Sequence, residues 1–291
     1  MRFKAIQILV VSVALIGTLT GCFNKEAPST APNEQVTDPV KSTTIPPSIA
    51  SGHEVVEPIT WMFDGATGTL TFSGMGPLAA EEAETADTIS YDWHTMKRQV
   101  RSVVVKEGIT RIPNYAFYDF AEIEEVSLPS TLTSIGDYAF YHCSFSEITI
   151  PLALEEMGIG AFSHCERLKT CDLLYTEVTV LPAALFEECT NLQYISLPSR
   201  AERLEETCLY GCDQISSLLL PASAASIGEL YANIEVFVFQ GEPPELPWNS
   251  DTGECLLFYG DVTVYYPEGS IAWQELAAQC TQKGVTWIAW Y

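Results

Sequence analysis

Positive charge is scarce in this sequence: 14 Lys and Arg stand against 38 Asp and Glu in 291 residues, a net charge of −24. Binding to DNA or RNA begins with basic side chains neutralising phosphates, so nucleic acid is excluded as a partner. Recruitment to anionic lipid by surface charge is disfavoured for the same reason. Histidine is scarcer still, and none of His53, His94, His142 and His164 stands with a Ser or Cys nucleophile in a recognisable motif. No Gly-rich phosphate loop is present: Gly65 to Gly68 reads as a hairpin turn, and Gly158-Ile159-Gly160 lacks both a preceding strand and a third glycine. The pairs Glu155-Glu156, Glu187-Glu188 and Glu205-Glu206 fall in surface turns and read as a solvated face. His142-Cys143 and His164-Cys165 recur in neighbouring repeats, but the cysteines face the core and the histidines water, so no metal site is expected. These absences predict a protein that is not an enzyme and takes no cofactor.

The N-terminus carries an address. Arg2 and Lys4 precede a mostly apolar stretch from Ile8 to Leu19, too short to span a bilayer, which needs about 20 apolar residues. It ends in Leu19-Thr20-Gly21-Cys22, which resembles the lipobox of bacterial lipoproteins. That resemblance implies cleavage before Cys22 and lipid attachment to its sulfur, so the only membrane contact expected is through this lipid. Losing Arg2 and Lys4 would leave 12 bases against 38 acids, a net charge of −26. Residues 22–52, rich in Pro, Ser and Thr and without apolar periodicity, read as a flexible tether.

From Val100 onward one pattern recurs. A strand-like unit, apolar-x-x-apolar-x-apolar, appears at Val100/Val103/Val105, Ile123/Val126/Leu128, Leu168/Cys171/Leu173, Leu192/Ile195/Leu197, Ile215/Leu218/Leu220 and Ile234/Phe237/Phe239. A further copy, Phe145/Ile148/Ile150, arrives one residue early. A second anchor at Ile112, Ile135, Met157, Leu181, Leu204 and Ile227 is spaced by 23, 22, 24, 23 and 23 residues. A third runs through Phe117, Phe140, Phe162, Phe186 and Leu209, and a fourth through Phe120, Cys143, Cys165, Cys189 and Cys212. A fixed period in the twenties predicts a solenoid, whose units are too small to bury their own apolar side and must stack. The strands should align as one parallel sheet, with equivalent anchors in continuous rows about 4.8 Å apart.

Thr133-Ser134-Ile135-Gly136-Asp137-Tyr138-Ala139-Phe140 and Ser226-Ile227-Gly228, with the strand endings at Pro129, Pro151, Pro198 and Pro221, resemble the BspA-like leucine-rich repeat proteins of bacterial cell surfaces. The resemblance covers residues 57–291 and departs after the fourth strand, where Leu174-Tyr175 replaces the proline and Leu181-Pro182 replaces Ile-Gly. It implies a mainly β leucine-rich repeat solenoid with short helices and turns, capped at both ends. The chain then divides into a signal peptide (1–21), a tether (22–52), an N-terminal β-hairpin cap (53–99), the solenoid (100–240) and a C-terminal repeat and cap (241–291). The hairpin is expected at Ile59–Phe63 and Thr69–Phe72, a short helix between Asp92 and Gln99, and a closing helix near Ser270–Gln282.

Nine cysteines in an exported chain ordinarily suggest disulfides. Here Cys22 is set aside for lipid, while Cys143, Cys165, Cys189 and Cys212 share one repeat position and read as a ladder of buried thiols. Cys171 occupies a strand-core position, and Cys255 and Cys280, both in the closing region, are the pair best placed for a bridge. The outward strand residues grade from polar (Glu125, Ser127, Glu147, Thr149, Thr170, Asp172) to apolar toward the C-terminus. Tyr194, Ser196, Ser217, Leu219, Val236 and Val238 are therefore the candidate contact surface for a protein ligand, unless the closing segment folds back over them. The resemblance implies adhesion or recognition at the cell surface of a lipid-anchored protein in the bacterial envelope. The alternative is an envelope scaffold or solute-capturing lipoprotein with no host role.

Overall fold

Short apolar anchors at a period near 23, punctuated by proline and glycine, leave each coil room only for brief strands. The computed structural model describes residues 58–79 and 83–291, which belong to one compact unit; the signal peptide, Cys22 and the tether lie outside the described residues. β1 (Thr60–Asp64) and β2 (Thr69–Ser73) form the expected antiparallel hairpin. Asp64 shapes its turn by accepting from the Ala66 N–H and the Thr67 hydroxyl, each at 2.9 Å. After the two-residue β3 (Gly76–Pro77), a 3₁₀ turn over Asp92–Met96 stands where a short helix was expected. It buries Trp93 edge-on against Phe72 at 5.1 Å and lets the indole N–H donate to the Ala116 carbonyl at 2.7 Å.

Each coil then sets down one strand of a long sheet and one of a short sheet. In chain order these are β4 (Ser102–Val105) and β5 (Ile109–Ile112), β6 (Glu125–Ser127) and β7 (Ser134–Ile135), then β8 (Glu156–Met157) alone. They continue as β9 (Thr170–Asp172) and β10 (Val180–Leu181), β11 (Tyr194–Ser196) and β12 (Arg203–Leu204), β13 (Ser217–Leu220) and β14 (Ser226–Ile227). β15 (Val236–Phe239), β16 (Val262–Pro267), helix α1 (Ile271–Gln279) and β17 (Val285–Trp290) complete the chain. After the hairpin every ladder between coils is parallel.

The rows predicted from the repeat are present. Leu70, Val103 and Val126 are partners across the long sheet, as are Cys171 and Ile195, and Leu218, Phe237, Val264 and Trp287. Phe117, Phe140, Phe162 and Phe186 are fully buried and stack in sequence at 5.3, 5.6 and 5.6 Å between ring centroids. Burying each ring contributes roughly 1.5–3 kcal/mol of hydrophobic stabilisation.

The long sheet is not one uninterrupted ladder, as expected, but three: β1-β2-β4-β6, β9-β11 and β13-β15-β16-β17. The first break falls at the early copy Phe145/Ile148/Ile150, where only a bridge from Glu147 to Thr170 survives. The short sheet divides between β8 and β10, where the anchor gap lengthens to 24 residues. An extra or missing residue shifts the pairing out of phase, and the ladder breaks while the core anchors stay in place.

The third side of each coil has no strand. Two residues per turn take left-handed backbone there, among them Tyr115, Asp119, Tyr138, His142, His164, Glu188 and Thr207. This conformation aims their N–H groups at the next coil: Tyr115 to Asp137 O (2.7 Å), Tyr138 to Ile159 O (2.8 Å) and Thr207 to Glu229 O (2.8 Å). The turn side is thus cross-linked by backbone hydrogen bonds without a sheet.

Candidate binding surface

Successive strand side chains point to opposite faces, so the outward set of the long sheet follows from the inward anchors. In the earlier coils it is polar and exposed at Glu125, Ser127, Glu147, Thr149, Thr170 and Asp172. Tyr194, Ser217, Leu219 and Val236 follow and are half-buried.

Two candidate residues depart from the expectation. Ser196 is only 7% exposed: its hydroxyl donates to the Asp172 carboxylate and accepts from the Leu173 N–H at 3.1 Å, which ties it to the preceding coil. Val238 is 1% exposed because its partners on the adjacent strands, Leu219 and Tyr265, flank it on both sides. Register places Leu219, Val238, Tyr265 and Ile288 in one outward row. Tyr265 and Ile288, half-buried, therefore extend the surface beyond the residues singled out from the sequence. The alternation Val262/Val264/Tyr266 in β16 carried that signal.

The closing segment does not fold back over this face. β16 and β17 pair edge to edge with β15 and lengthen the sheet. Helix α1, capped by the Ser270 hydroxyl, inserts the fully buried Trp273 on the core side against Phe239 (4.6 Å), Tyr266 (5.9 Å) and Trp287 (6.0 Å). The Trp273 indole donates to the Gly241 carbonyl at 2.8 Å.

The thiol ladder has one geometry throughout. Cys143, Cys165, Cys189 and Cys212 are free and buried, and each S–H donates to the carbonyl of the aromatic anchor one coil before: Phe117 (3.5 Å), Phe140, Phe162 and Phe186 (3.1 Å each). Cys255 and Cys280 are also free, contrary to the bridge expected between them. Their region is linked instead by Gln282, which accepts from the Cys255 N–H (3.0 Å) and donates to the Phe258 carbonyl (2.6 Å). Among the described residues no group of three or more His, Cys, Asp and Glu is arranged to hold a metal ion. His142 instead shares Asp119 with Lys97, at 2.8 and 2.6 Å. Two open clefts of about 460 and 450 Å³ lie along the short sheet, one beside Arg203, Glu205 and Glu245, the other beside Asn114, Asp137 and Glu156.

Parallel strands repeating every 22–24 residues around a Leu, Ile and Phe core define a leucine-rich repeat solenoid. Residues 110–234 match the BspA type leucine rich repeat region in six copies, so the repeats over these residues are of that type. None of the curated proteins matches the chain by sequence. Among solved structures it is similar to a leucine rich cell surface protein from Faecalibacterium prausnitzii, at 22% identity and a TM-score of 0.49, covering 76% of this chain and 66% of that one. The chain thus spans slightly less than two thirds of that protein's length. A leucine-rich repeat protein from Bacteroides ovatus matches at 19% identity over 82% of this chain and 79% of that one, TM-score 0.38. The leucine rich repeat protein of T. pallidum matches at 16% identity over 80% and 97%, TM-score 0.41.

Proposed function

We propose that this protein is displayed at a bacterial cell surface, held by lipid on Cys22, and binds another protein through the outer face of its long sheet. The carrying observation is the apolar end of that face. Leu219, Val236, Tyr265 and Ile288 are half-buried on the ladder that the closing segment lengthens, Tyr194 is half-buried on the ladder before it, and exposed polar residues border them from Glu125 to Asp172. Apolar patches with polar rims mark interaction sites. The BspA-type repeat region supports a recognition role, and Leu19-Thr20-Gly21-Cys22 supports the anchor. The family resemblance implies adhesion or recognition, sometimes of host extracellular-matrix proteins, and a matrix protein is therefore the ligand to be offered.

The test uses the fragment from residue 53 as bait, as wild type and as the Leu219→Glu/Ile288→Glu variant. Wild type should retain a matrix protein, and the variant should lose at least ten-fold of it with an unchanged melting temperature. Retention of the bacterium's own envelope components alone would defeat adhesion and favour the scaffold.

A further inference from the structure

A second surface lies on the turn side of the coils, away from the long sheet. We propose that Tyr115, Tyr118, Tyr138 and Tyr141 form a docking platform for a Lys- and Arg-bearing segment of a partner polypeptide. Tyr115 stacks on Tyr138 at 5.4 Å and 16°, and Tyr118 on Tyr141 at 4.6 Å and 11°. Within each coil the rings meet edge to face, at 5.6 Å for Tyr115–Tyr118 and 6.1 Å for Tyr138–Tyr141. The four half-buried rings thus form a two-by-two grid.

The grid is held from one end. The Tyr138 ring lies so close over Gly160 that a Cβ there would run into it, and His164 meets Tyr141 edge-on at 5.0 Å. No hydrogen bond of the four hydroxyls is made among the described residues, so all four remain available to a partner. Tyr115 and Tyr138 also sit at φ 59° and 51°, a left-handed region unfavourable to bulky side chains, where the next coil uses Gly160.

Charge selects the partner. Between Arg111 and Arg167 the chain has no Lys or Arg and carries nine Asp and Glu. The carboxylates of Asp119, Asp137 and Glu187 lie within electrostatic reach of the rings and, after burial, help raise the phenol pKa values of Tyr138 and Tyr141. Lys97, the cation reaching this side, is held by Asp119. Between Arg111 and Arg167 the surface therefore offers carboxylate and phenol oxygens as acceptors and no cationic side chain. Guanidinium and ammonium groups supply what is missing, and their aliphatic stems can lie along ring edges. Ordered tyrosines give contact area at little entropic cost, and opposite charge speeds encounter. A neutral sugar could donate hydroxyl hydrogen bonds to the carboxylates but would gain no charge attraction from them.

The test is anisotropy of a fluorescein-labelled hexa-arginine peptide titrated with the full-length chain. Tyr118→Leu/Tyr141→Leu and the isosteric Asp137→Asn/Glu187→Gln should each weaken binding at least ten-fold. Leu219→Glu on the sheet face should leave it unchanged, which separates this surface from the one proposed above. If the leucine pair lowers the melting temperature, the isosteric pair decides. Unchanged peptide affinity in that pair, loss of binding in Leu219→Glu, or tyrosine-dependent binding of maltohexaose instead of the peptide would each overturn the proposal.

Discussion

At Cys165 the repeat shows how a thiol can serve the fold without pairing. Its sulfur is fully buried at the repeat position that Phe120 fills in an earlier coil, and its S–H donates to the Phe140 carbonyl at 3.1 Å. Burial pushes the Cys165 and Cys212 thiols up to about 12 and raises Cys143 and Cys189 as well. Since the thiolate is the nucleophile, these groups are unreactive near neutrality. In the fragment from residue 53 at pH 8, Ellman's reagent should therefore react rapidly with half-exposed Cys280 and slowly with the seven buried cysteines. Unfolding in guanidinium should release all eight. Several fast native thiols would contradict the ladder, whereas two thiols missing after unfolding would restore the Cys255–Cys280 bridge.

Among elements, the stacking distance between coils is enforced where the short strands end. Gly136, Gly158 and Gly228 follow Ile135, Met157 and Ile227 at one repeat position, and a Cβ at Gly158 would collide with the Asp137 amide of the coil before. That amide is itself fixed, its N–H donating to the Asn114 side chain at 2.8 Å. Neither partner can give way. Gly158→Ala should therefore destabilise by more than about 1 kcal/mol in urea unfolding. Gly65→Ala, whose Cβ would sit 3.8 Å from Phe63 in the hairpin turn, should lie within about 0.5 kcal/mol of wild type. Equal effects at the two positions would mean that coil contact does not set the need for glycine.

For the whole molecule, charge is the opposing force. From Leu204 to Gln282 there is no Lys or Arg, while twelve Asp and Glu occur. A stack gathers these carboxylates onto neighbouring coils, and few ion pairs offset them, since Arg200–Glu177 and Arg203–Glu205 both lie at the N-terminal border of this stretch or before it. Screening should therefore stabilise the protein. Raising NaCl from 10 to 300 mM shortens the Debye length from about 30 Å to less than 10 Å. It should raise the melting temperature by several degrees, and a flat or falling temperature would show that repulsion is not a significant load on the fold.

The anchors Ile112, Phe117 and Cys143 and their equivalents were legible because a solenoid repeats one local environment, so its core prints a period onto the chain. The same logic placed Tyr194, Ser217, Leu219 and Val236 on the outer face. It could not show that Ser196 would be tied down by Asp172 or that Val238 would be shielded by Tyr265, because both depend on neighbours 24 and 27 positions away. Nor did it single out the tyrosine grid, whose rings meet only once coils stack in register. Periodicity by itself determined the coil and its inward rows, and composition the sign of its charge. Tertiary structure alone decided which outward side chains stay open, where the ladders break and on which side the closing helix packs, since exposure is set by contacts between coils that no single repeat contains.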